Sequence, residues 1–360
     1  MKFVSRERWK NEKLIDYLYQ FQRRPVYAVY DIKTDFGFAC MDKASIAIDL
    51  GFHVEKTGSV YNVVPHPFAS VEEVHDFPWN ISLQGSRAQR ELGWVKEWIE
   101  QASVHQGGGC FGPLTVAACI LGVENCTRMV RKKPDVFHAV LEYVTEYMVQ
   151  LAQEEEKMGA DSFWIAEPVA SLFSPKNCRD FCTPYLKKIF DSIQVPGILH
   201  VCGNTDPHLW ALLETGAQGL SIDWCTDLVK YIQAAPEDVV IMGNIDPMLL
   251  WKGTKEEIAV KTRELLEQTR DYKNFVLASG CQIPSMAQRE NVELMVNLGK
   301  EFPVWSNEEY QLIHGLCRTY CNSGREAFET LCSEKQVSAE IMSAAKRMAE
   351  NHLEMIQNKK

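Results

Sequence analysis

Apolar runs alternate with helical patterns along the chain from about residue 110 to residue 300. An early run, GPLTVAACI, occupies residues 112–120, and five more read SFWIAEP, VPGILHVCG, GLSID, DVVIMGNI and NFVLASG. Apolar runs bracketed by helices are typical of buried parallel strands. Six strand–helix units in series, with chain to spare upstream, favour a (β/α)8 TIM barrel. An open doubly wound sheet is the competing arrangement, but no glycine-rich phosphate loop follows any of the strands.

The rest of the pattern predicts helices around this barrel and an irregular start. We expect a barrel domain over residues 1–305, irregular in its first 105 residues. A helical extension over residues 306–360 is expected to act as a cap or as the dimerisation arm of a homodimer. Helices are predicted at residues 7–21, 44–50, 85–101, 133–158, 174–193, 206–215, 228–234, 254–270 and 286–300, and a short strand at 27–30.

The composition excludes several classes of partner. The 48 acidic and 38 basic side chains give a net charge of −10, which disfavours nucleic acid because phosphate binding needs clustered Lys and Arg. The longest mainly apolar stretch, residues 112–123, is well short of the ~20 residues that a membrane helix needs. The charged start, MKFVSRERWK, differs from a signal peptide. We therefore expect a soluble, cytoplasmic protein without a membrane partner, whose 12 cysteines are thiols.

Polar side chains follow each of the five apolar runs after residue 160. The active site of a parallel barrel lies at the carboxyl ends of its strands, so these side chains are candidates for chemistry. They are Glu167, His200, Cys202, Asp223, Asn244, Asp246 and Cys281.

One imidazole and two thiols among them are suitable zinc ligands. His200 and Cys202 are two residues apart in an extended segment, so both side chains point to one side. Cys281 comes from a strand three units further on. Ligands from separate strands leave one coordination position open, as in a catalytic metal site. The alternative is that both cysteines are buried strand residues and His200 is hydrogen-bonded in the core.

Three other clusters have simpler interpretations. Cys178 and Cys182 are four residues apart on a helix, where packing explains them. His314, Cys317 and Cys321 share a helix face, with Cys332 further on; this periodicity is that of core-facing residues, and a second zinc site is the alternative. The segment HQGGG, residues 105–109, lacks the Lys-Ser/Thr of a nucleotide loop and is predicted to be a flexible turn before a strand.

Five fragments resemble the uroporphyrinogen decarboxylase superfamily over about residues 107–300: FGPLTVAA, GADSFWIAEPVASLFSP, ILHVCGN, MGNIDP and LASGCQIP. The H-x-C…G-C pattern is similar to that of its zinc-dependent branch, the corrinoid-linked methyltransferases, and decarboxylases lack it. The resemblance implies that His200, Cys202 and Cys281 bind Zn²⁺. It also implies that the corrinoid (cobalamin) is carried by a separate partner protein, since this chain has no evident corrinoid-binding segment.

The resemblance also suggests roles for the remaining polar residues. Glu167 stands where similar enzymes carry an Asp, and it is a candidate catalytic group, a candidate fourth zinc ligand, or a residue that holds a neighbouring loop. Asp223 is expected to hydrogen-bond the His200 ring, as metal-bound histidines need such a partner. Asn244 and Asp246 are candidates for supporting the catalytic site or for forming a turn.

The implied activity is transfer of a methyl group between a small methylated substrate and the cobalt of the corrinoid protein. We favour O-demethylation of an aryl methyl ether, because aromatic side chains near the strand ends can stack on a phenyl ring. The alternative is that they pack between sheet and helices. These candidate substrate-binding residues are Phe111, Phe163, Trp164, Phe173 and Trp224.

Three other functions stay open. One is a methylcobalamin:thiol methyltransferase, and the second is a decarboxylase, although the arginine-rich N-terminal loop of the decarboxylases is absent. The third is a family member that binds metal or a corrinoid protein without turnover.

Overall fold

A computed structural model of the chain describes residues 26–27, 36–38, 41–57, 60–101 and 105–358. The helix predicted at residues 7–21 lies outside the described residues. The strand predicted at 27–30 is described only as Val26–Tyr27.

The described strands form a parallel barrel and a separate hairpin, and the predicted (β/α)8 fold is confirmed. The barrel order is β1-β10-β9-β8-β7-β6-β5-β2, and β3 and β4 form the antiparallel hairpin. In chain order, the strands are β1 (Val26–Tyr27), β2 (Phe36–Phe38), β3 (Val54–Thr57), β4 (Val60–Val63), β5 (His105–Phe111), β6 (Ser162–Ala166), β7 (Gly197–Val201), β8 (Gly219–Ile222), β9 (Val240–Ile245) and β10 (Phe275–Ser279).

Helices follow the strands as the alternating pattern predicts. They are α1 (Lys43–Asp49), α2 (Val71–Asp76), α3 (Ser86–Gln101), α4 (Pro113–Leu121), α5 (Val123–Lys132), α6 (Pro134–Met158), α7 (Pro175–Phe181), α8 (Thr183–Phe190), α9 (Leu209–Leu213), α10 (Leu228–Ala234), α11 (Pro247–Lys252), α12 (Lys255–Gln268), α13 (Arg289–Glu301), α14 (Asn307–Glu334) and α15 (Ala339–Asn358). Short 3-10 helices occupy Pro168–Leu172 and Asp206–His208. Within the part of the chain that the structure describes, no helix combines the length and apolar composition needed to cross a membrane.

The strand predicted at residues 112–120 is wrong, because this segment forms helix α4. Pro113 occupies the first turn, where its missing amide hydrogen costs nothing. Almost every side chain of α4 is buried, so no polar face reveals the helical period. The helix predicted at 174–193 starts as expected, with the Ser174 side chain accepting from the Asn177 amide. It is divided into α7 and α8, and Pro184 lies in the first turn of the second helix.

The strand that precedes helix α4 is β5, which occupies the segment predicted to be a flexible turn. Its glycines are required by large neighbours on both faces. A Cβ at Gly108 would overlap the Glu155 carboxylate of α6, and a Cβ at Gly109 would overlap the backbone carbonyl oxygen of Trp164. Because Gly108 and Gly109 lack side chains, β5 can approach both α6 and β6 closely.

The chain divides into two compact units, which among the described residues are 36–226 and 26–27 with 227–358. In the first unit, α6 buries one face that includes Phe137, Val144 and Leu151. In the second unit, the C-terminal helices are attached by polar contacts: Tyr310 donates to the Arg270 carbonyl oxygen at 2.8 Å, and Arg347 pairs with Asp271 at 2.7 Å. The helical content of the extension is as predicted, and its boundary at residues 305/306 stays a prediction.

Candidate metal centre

Four residues lie at one level across adjacent strand ends of the first unit. Phe111 pairs in register with Ala166, Ala166 with His200, and His200 with Ser221. Register partners in parallel strands point to the same face. Gly108 faces helix α6, so Phe111, three residues further along β5, points to the opposite, inner face. We call Phe111, Ala166, His200 and Ser221 the strand-end row.

His200 is held in one orientation by contacts to both ring nitrogens. Its Nδ1 lies 3.0 Å from the Ser221 carbonyl oxygen and 3.2 Å from the Ser221 Oγ, and its Nε2 lies 3.1 Å from the Cys202 Sγ. A carbonyl oxygen only accepts, so Nδ1 carries the hydrogen, and the lone pair of the neutral ring is on Nε2. This tautomer presents a ligand nitrogen beside a thiol, as metal-binding histidines do.

The expected hydrogen bond from Asp223 to His200 is absent, because Ser221 occupies that position. Asp223 instead accepts from the Gly203 amide at 2.6 Å and from the Trp224 amide at 2.6 Å. Gly203 has a φ of +85°, which favours glycine, and it directly follows Cys202. Thr226 donates to the Gly203 carbonyl oxygen at 3.1 Å. Asp223 and Thr226 therefore fix the turn that carries Cys202.

Cys281 lies in the second unit, two residues beyond the end of β10. Its carbonyl oxygen accepts from Ser279 Oγ at 2.8 Å, and the preceding Gly280 amide donates to the Ile245 carbonyl oxygen at 2.8 Å. The side chain is half-buried. Its backbone is thus anchored to β9 and β10, and the residue keeps some solvent access.

Glu167 holds the start of helix α4. One carboxylate oxygen accepts from the Leu114 amide at 3.0 Å, and the other accepts from the Thr115 amide at 2.7 Å and from the Thr115 hydroxyl. A Cβ at Gly112 would overlap this carboxylate. Burial raises the pKa of Glu167 to about 7, although the hydrogen bonds from Thr115 and Leu114 oppose that rise. The geometry provides the expected loop-holding contact, and the role as a fourth zinc ligand stays a prediction.

Asp246 and Asn244 lie at the end of β9 in the second unit. Asp246 Oδ1 accepts from the Met248 amide at 2.7 Å and caps helix α11. This contact provides the turn expected of Asp246. Asn244 is half-buried on β9, in register with Ala278 of β10. Direct catalytic roles for both residues stay predictions.

The five candidate aromatic residues differ in exposure. Phe163, Trp164 and Phe173 are buried, and the Trp164 indole donates to Ser162 Oγ at 3.0 Å while Phe173 stacks near Phe137. Phe111 is half-buried, and Trp224 is 53% exposed. Only Phe111 and Trp224 among the five thus offer surface to a ligand in this conformation.

The other cysteine clusters are accounted for by packing and ion pairing. Cys178 and Cys182 are fully buried beside one another. His314 Nδ1 contacts Glu237 Oε1 at 3.3 Å, and burial raises the pKa of the Cys317 thiol to about 12. In the described part of the chain, the helix face with Cys317 and Cys321 does not bring three metal-capable atoms within 4.8 Å.

Sequence reasoning missed two residues that position candidate site groups. Ser221 lies on β8, and Asp223 directly follows that strand two residues later. Extended alternation would place both on the face of His200, and only the register selects Ser221. Thr115 is two residues after Pro113 in the segment predicted to be a strand. Its place in the first turn of a helix would have indicated amides directed at a carboxylate.

A parallel barrel with imidazole, thiol and carboxyl groups at its strand ends defines a barrel enzyme with a candidate metal centre. The uroporphyrinogen decarboxylase (URO-D) family profile matches residues 27–302, and the chain belongs to this family.

Several relatives are methyltransferases. Methylcobamide:CoM methyltransferase MtbA of Methanosarcina acetivorans is 29% identical over 254 residues, which cover 67% of this chain and 71% of that protein. Methylcobamide:CoM methyltransferase MtaA of Methanosarcina barkeri is 32% identical over 199 residues, or 54% of this chain and 58% of that protein. A solved methyltransferase structure from Methanosarcina mazei is 25% identical in sequence and has a TM-score of 0.65; the match covers 80% of this chain and 84% of the solved chain.

A decarboxylase matches a longer part of the chain at lower identity. Uroporphyrinogen decarboxylase of Prochlorococcus marinus is 24% identical over 310 residues, or 82% of this chain and 86% of that protein. The resemblance to the corrinoid methyltransferase branch is confirmed by the higher identity to the MtbA and MtaA proteins.

Proposed function

We propose that the chain is a zinc-dependent methyltransferase that moves a methyl group between a small molecule and the cobalt of a separate corrinoid protein. The observation that carries the proposal is the contact between His200 Nε2 and the Cys202 Sγ at 3.1 Å. The Cys281 thiol, just beyond the end of β10, is the third candidate ligand. The names of the methylcobamide:CoM methyltransferase relatives support the corrinoid as reaction partner.

The residues present fit a zinc ion. A neutral imidazole and two thiolates form a donor set that zinc prefers, and the Nε2 lone pair of His200 already faces the Cys202 sulfur. Three protein ligands leave one position for a substrate atom. Bound there, zinc would supply Lewis acidity that stabilises negative charge on a substrate oxygen or sulfur.

The protein's own residues would orient the reacting groups. Ser221 fixes the His200 ring, and Asp223 with Thr226 fixes the turn that carries Cys202. Such preorganisation matters because small displacements of reacting atoms reduce rates strongly. Phe111 stands in the strand-end row with His200 and offers an aromatic surface to a bound substrate.

We favour an aryl methyl ether as the methyl donor. In that direction, the bond between the methyl carbon and oxygen breaks, its electron pair stays on oxygen, and the phenolate takes a proton from solvent. The methyl group bonds to cobalt(I), which becomes formally cobalt(III). The half-buried Phe111 and the exposed Trp224 support an aromatic substrate.

A second candidate runs in the other direction, from methylcobalt to a thiol. It is supported by the coenzyme M acceptor in the names of the relatives. In that reaction, a thiol loses its proton, its sulfur bonds to the methyl carbon, and the electron pair of the broken bond returns to cobalt.

One experiment separates these candidates. The zinc-loaded protein is incubated with a reduced corrinoid protein and methoxylated aromatics, and separately with a methylated corrinoid protein and free thiols. We expect the phenol and methylcobalt to form in equal amounts in the first mixture. Inert ethers together with a methylated thiol would reverse the proposed direction, and no transfer in either mixture would contradict a methyltransferase.

A further inference from the structure

The strand-end row leaves a gap between Phe111 and His200. The two residues are separated by a single strand, on which the register partner is Ala166. Neighbouring strands are ~4.8 Å apart, so the two backbones are about 10 Å apart at this level. The small Ala166 side chain and the two larger neighbours are all half-buried. The small Ala166 side chain therefore stands between an aromatic ring and the candidate zinc ligand, and we call the space above it the trough.

A lysine lies at the aromatic end of this trough. Met41 bridges to Cys110 in parallel fashion, and its amide donates to the Gly109 carbonyl oxygen at 2.7 Å. This pairing carries the chain past Phe111 at the start of helix α1. The Lys43 Nζ lies 5.3 Å from the centroid of the Phe111 ring, and the Lys43 side chain is exposed. The positive charge is thus held over the ring face by a cation–π contact.

The charges around Lys43 leave its ammonium available to an anion. Asp42, the nearest carboxylate in sequence, accepts from the Ala44 amide at 2.9 Å as the cap of α1. Glu167 and Asp223 are bound to backbone amides. Lys43 is the cationic residue of the described strand-end segments of the first unit, which are residues 41–43, 111–112, 166–173, 202–206 and 223–226.

We propose that Lys43 and Phe111 form a subsite for the anionic group of an aromatic substrate. The substrate is an arenecarboxylate whose methoxy oxygen faces His200 and whose carboxylate, meta or para on the ring, pairs with Lys43. The ring lies over Ala166 and against Phe111. This inference rests on the proposed function and narrows its substrate class, because a neutral aryl ether has no anionic group to pair with the Lys43 ammonium.

The test compares an anionic ether with a neutral ether of the same shape. The zinc-loaded holoenzyme and its reduced corrinoid partner are given 4-methoxybenzoate or 4-methoxybenzamide, and kcat/KM is measured for each. We expect the wild type to prefer the benzoate by roughly 3- to 10-fold, the range of one partly solvated charge-assisted hydrogen bond. Lys43→Met removes the preference, mainly through KM, and Lys43→Arg keeps it. Lys96→Met, which changes an exposed lysine on α3, serves as the control and keeps it as well.

Two further readouts separate binding from turnover. Calorimetry on the zinc-loaded protein should show tighter binding of 4-hydroxybenzoate than of 4-hydroxybenzamide, and Lys43→Met should abolish the difference. The isomer 2-methoxybenzoate places its carboxylate beside the ether oxygen, so it should react like the neutral amide.

The outcomes distinguish this inference from the proposed function. If both 4-substituted ethers react equally in the wild type, or if Lys43→Met keeps the preference, the Lys43 subsite is overturned and aryl ether demethylation stands. If neither ether reacts, the aromatic substrate fails as well, and the comparison is repeated with 2-mercaptoethanesulfonate and 2-mercaptoethanol as methyl acceptors. A Lys43-dependent preference for the sulfonate would then overturn the arenecarboxylate and locate a sulfonated thiol at this subsite.

Discussion

Replacing Ser221 with alanine tests whether the orientation of His200 prepares it for metal. The substitution removes the Oγ that lies 3.2 Å from His200 Nδ1 and keeps the Ser221 carbonyl oxygen at 3.0 Å. The side chain is 7% exposed, so water does not readily replace the lost hydroxyl. The ring should keep its tautomer through the carbonyl contact and lose part of its rotational restraint.

The expected loss is modest in stability and larger in metal affinity. A lost hydrogen bond of this kind costs about 1 kcal/mol of unfolding free energy. Removing an outer partner of a metal-binding histidine typically lowers metal affinity 10- to 100-fold. Because the carbonyl contact remains, we expect the lower end, a loss of about 10-fold or ~1.4 kcal/mol in zinc binding.

The assay is zinc competition with a chromophoric chelator, with thermal melting measured on the same samples. Ser192→Ala is the control, since it also removes one serine hydroxyl, which donates to the Ile189 carbonyl oxygen away from the strand-end row. Ser221→Thr keeps a hydroxyl and should retain most of the affinity. Unchanged zinc affinity in Ser221→Ala, with a melting temperature lowered as in Ser192→Ala, would refute a positioning role for Ser221.

Three other substitutions have defined outcomes. Cys281→Ser replaces a soft thiolate with a poor ligand, so zinc content and methyl transfer should fall together while the circular dichroism spectrum stays native; full zinc content would contradict the ligand assignment. Burial holds the pKa of Glu155 well above its usual value, so the wild type should lose stability as pH rises from about 4.5 towards that pKa. Glu155→Gln should lack this loss. In chemical denaturation, the unfolding free energy of the variant should rise relative to that of the wild type by at most ~1.4 kcal/mol per pH unit. Unfolding free energies that change with pH in the same way in both proteins would contradict a buried titrating acid. Gly109→Ala places a Cβ against the Trp164 carbonyl oxygen and should cost about 2 kcal/mol or more of unfolding free energy, whereas Gly93→Ala, on the exposed face of α3, should cost nothing in the same denaturation experiment.

The order of barrel units could be predicted from sequence because later strands are apolar runs between clear helices. The strand–helix pair formed by β5 and α4 could not be predicted, for two physical reasons. Helix α4 is buried on nearly all sides, so its period is hidden, and strand β5 is glycine-rich because Trp164 and Glu155 approach it closely. These neighbours are more than 45 residues away in sequence, and no local pattern reports them.

The residue types of the candidate site were predictable, whereas their partners were not. His200, Cys202 and Cys281 are predictable because metal-capable side chains at the ends of apolar strands are visible in the sequence. The choice between Ser221 and Asp223 depends on a one-to-one register between β7 and β8, which neither strand encodes alone. The aromatic assignments failed to separate exposed from buried rings for a similar reason, since Phe163 and Trp164 are buried on opposite faces of one strand.

The central claim, that His200, Cys202 and Cys281 hold the zinc that methyl transfer requires, is tested most directly by measuring zinc content and methyl transfer on the same protein. Protein purified without chelators is analysed for zinc and assayed with its corrinoid partner, then stripped of metal and reloaded. We expect about one zinc per chain by the open-site argument, with transfer lost on stripping and restored on reloading in proportion to zinc. Chelator-free protein that transfers methyl groups at full rate without zinc would contradict the account.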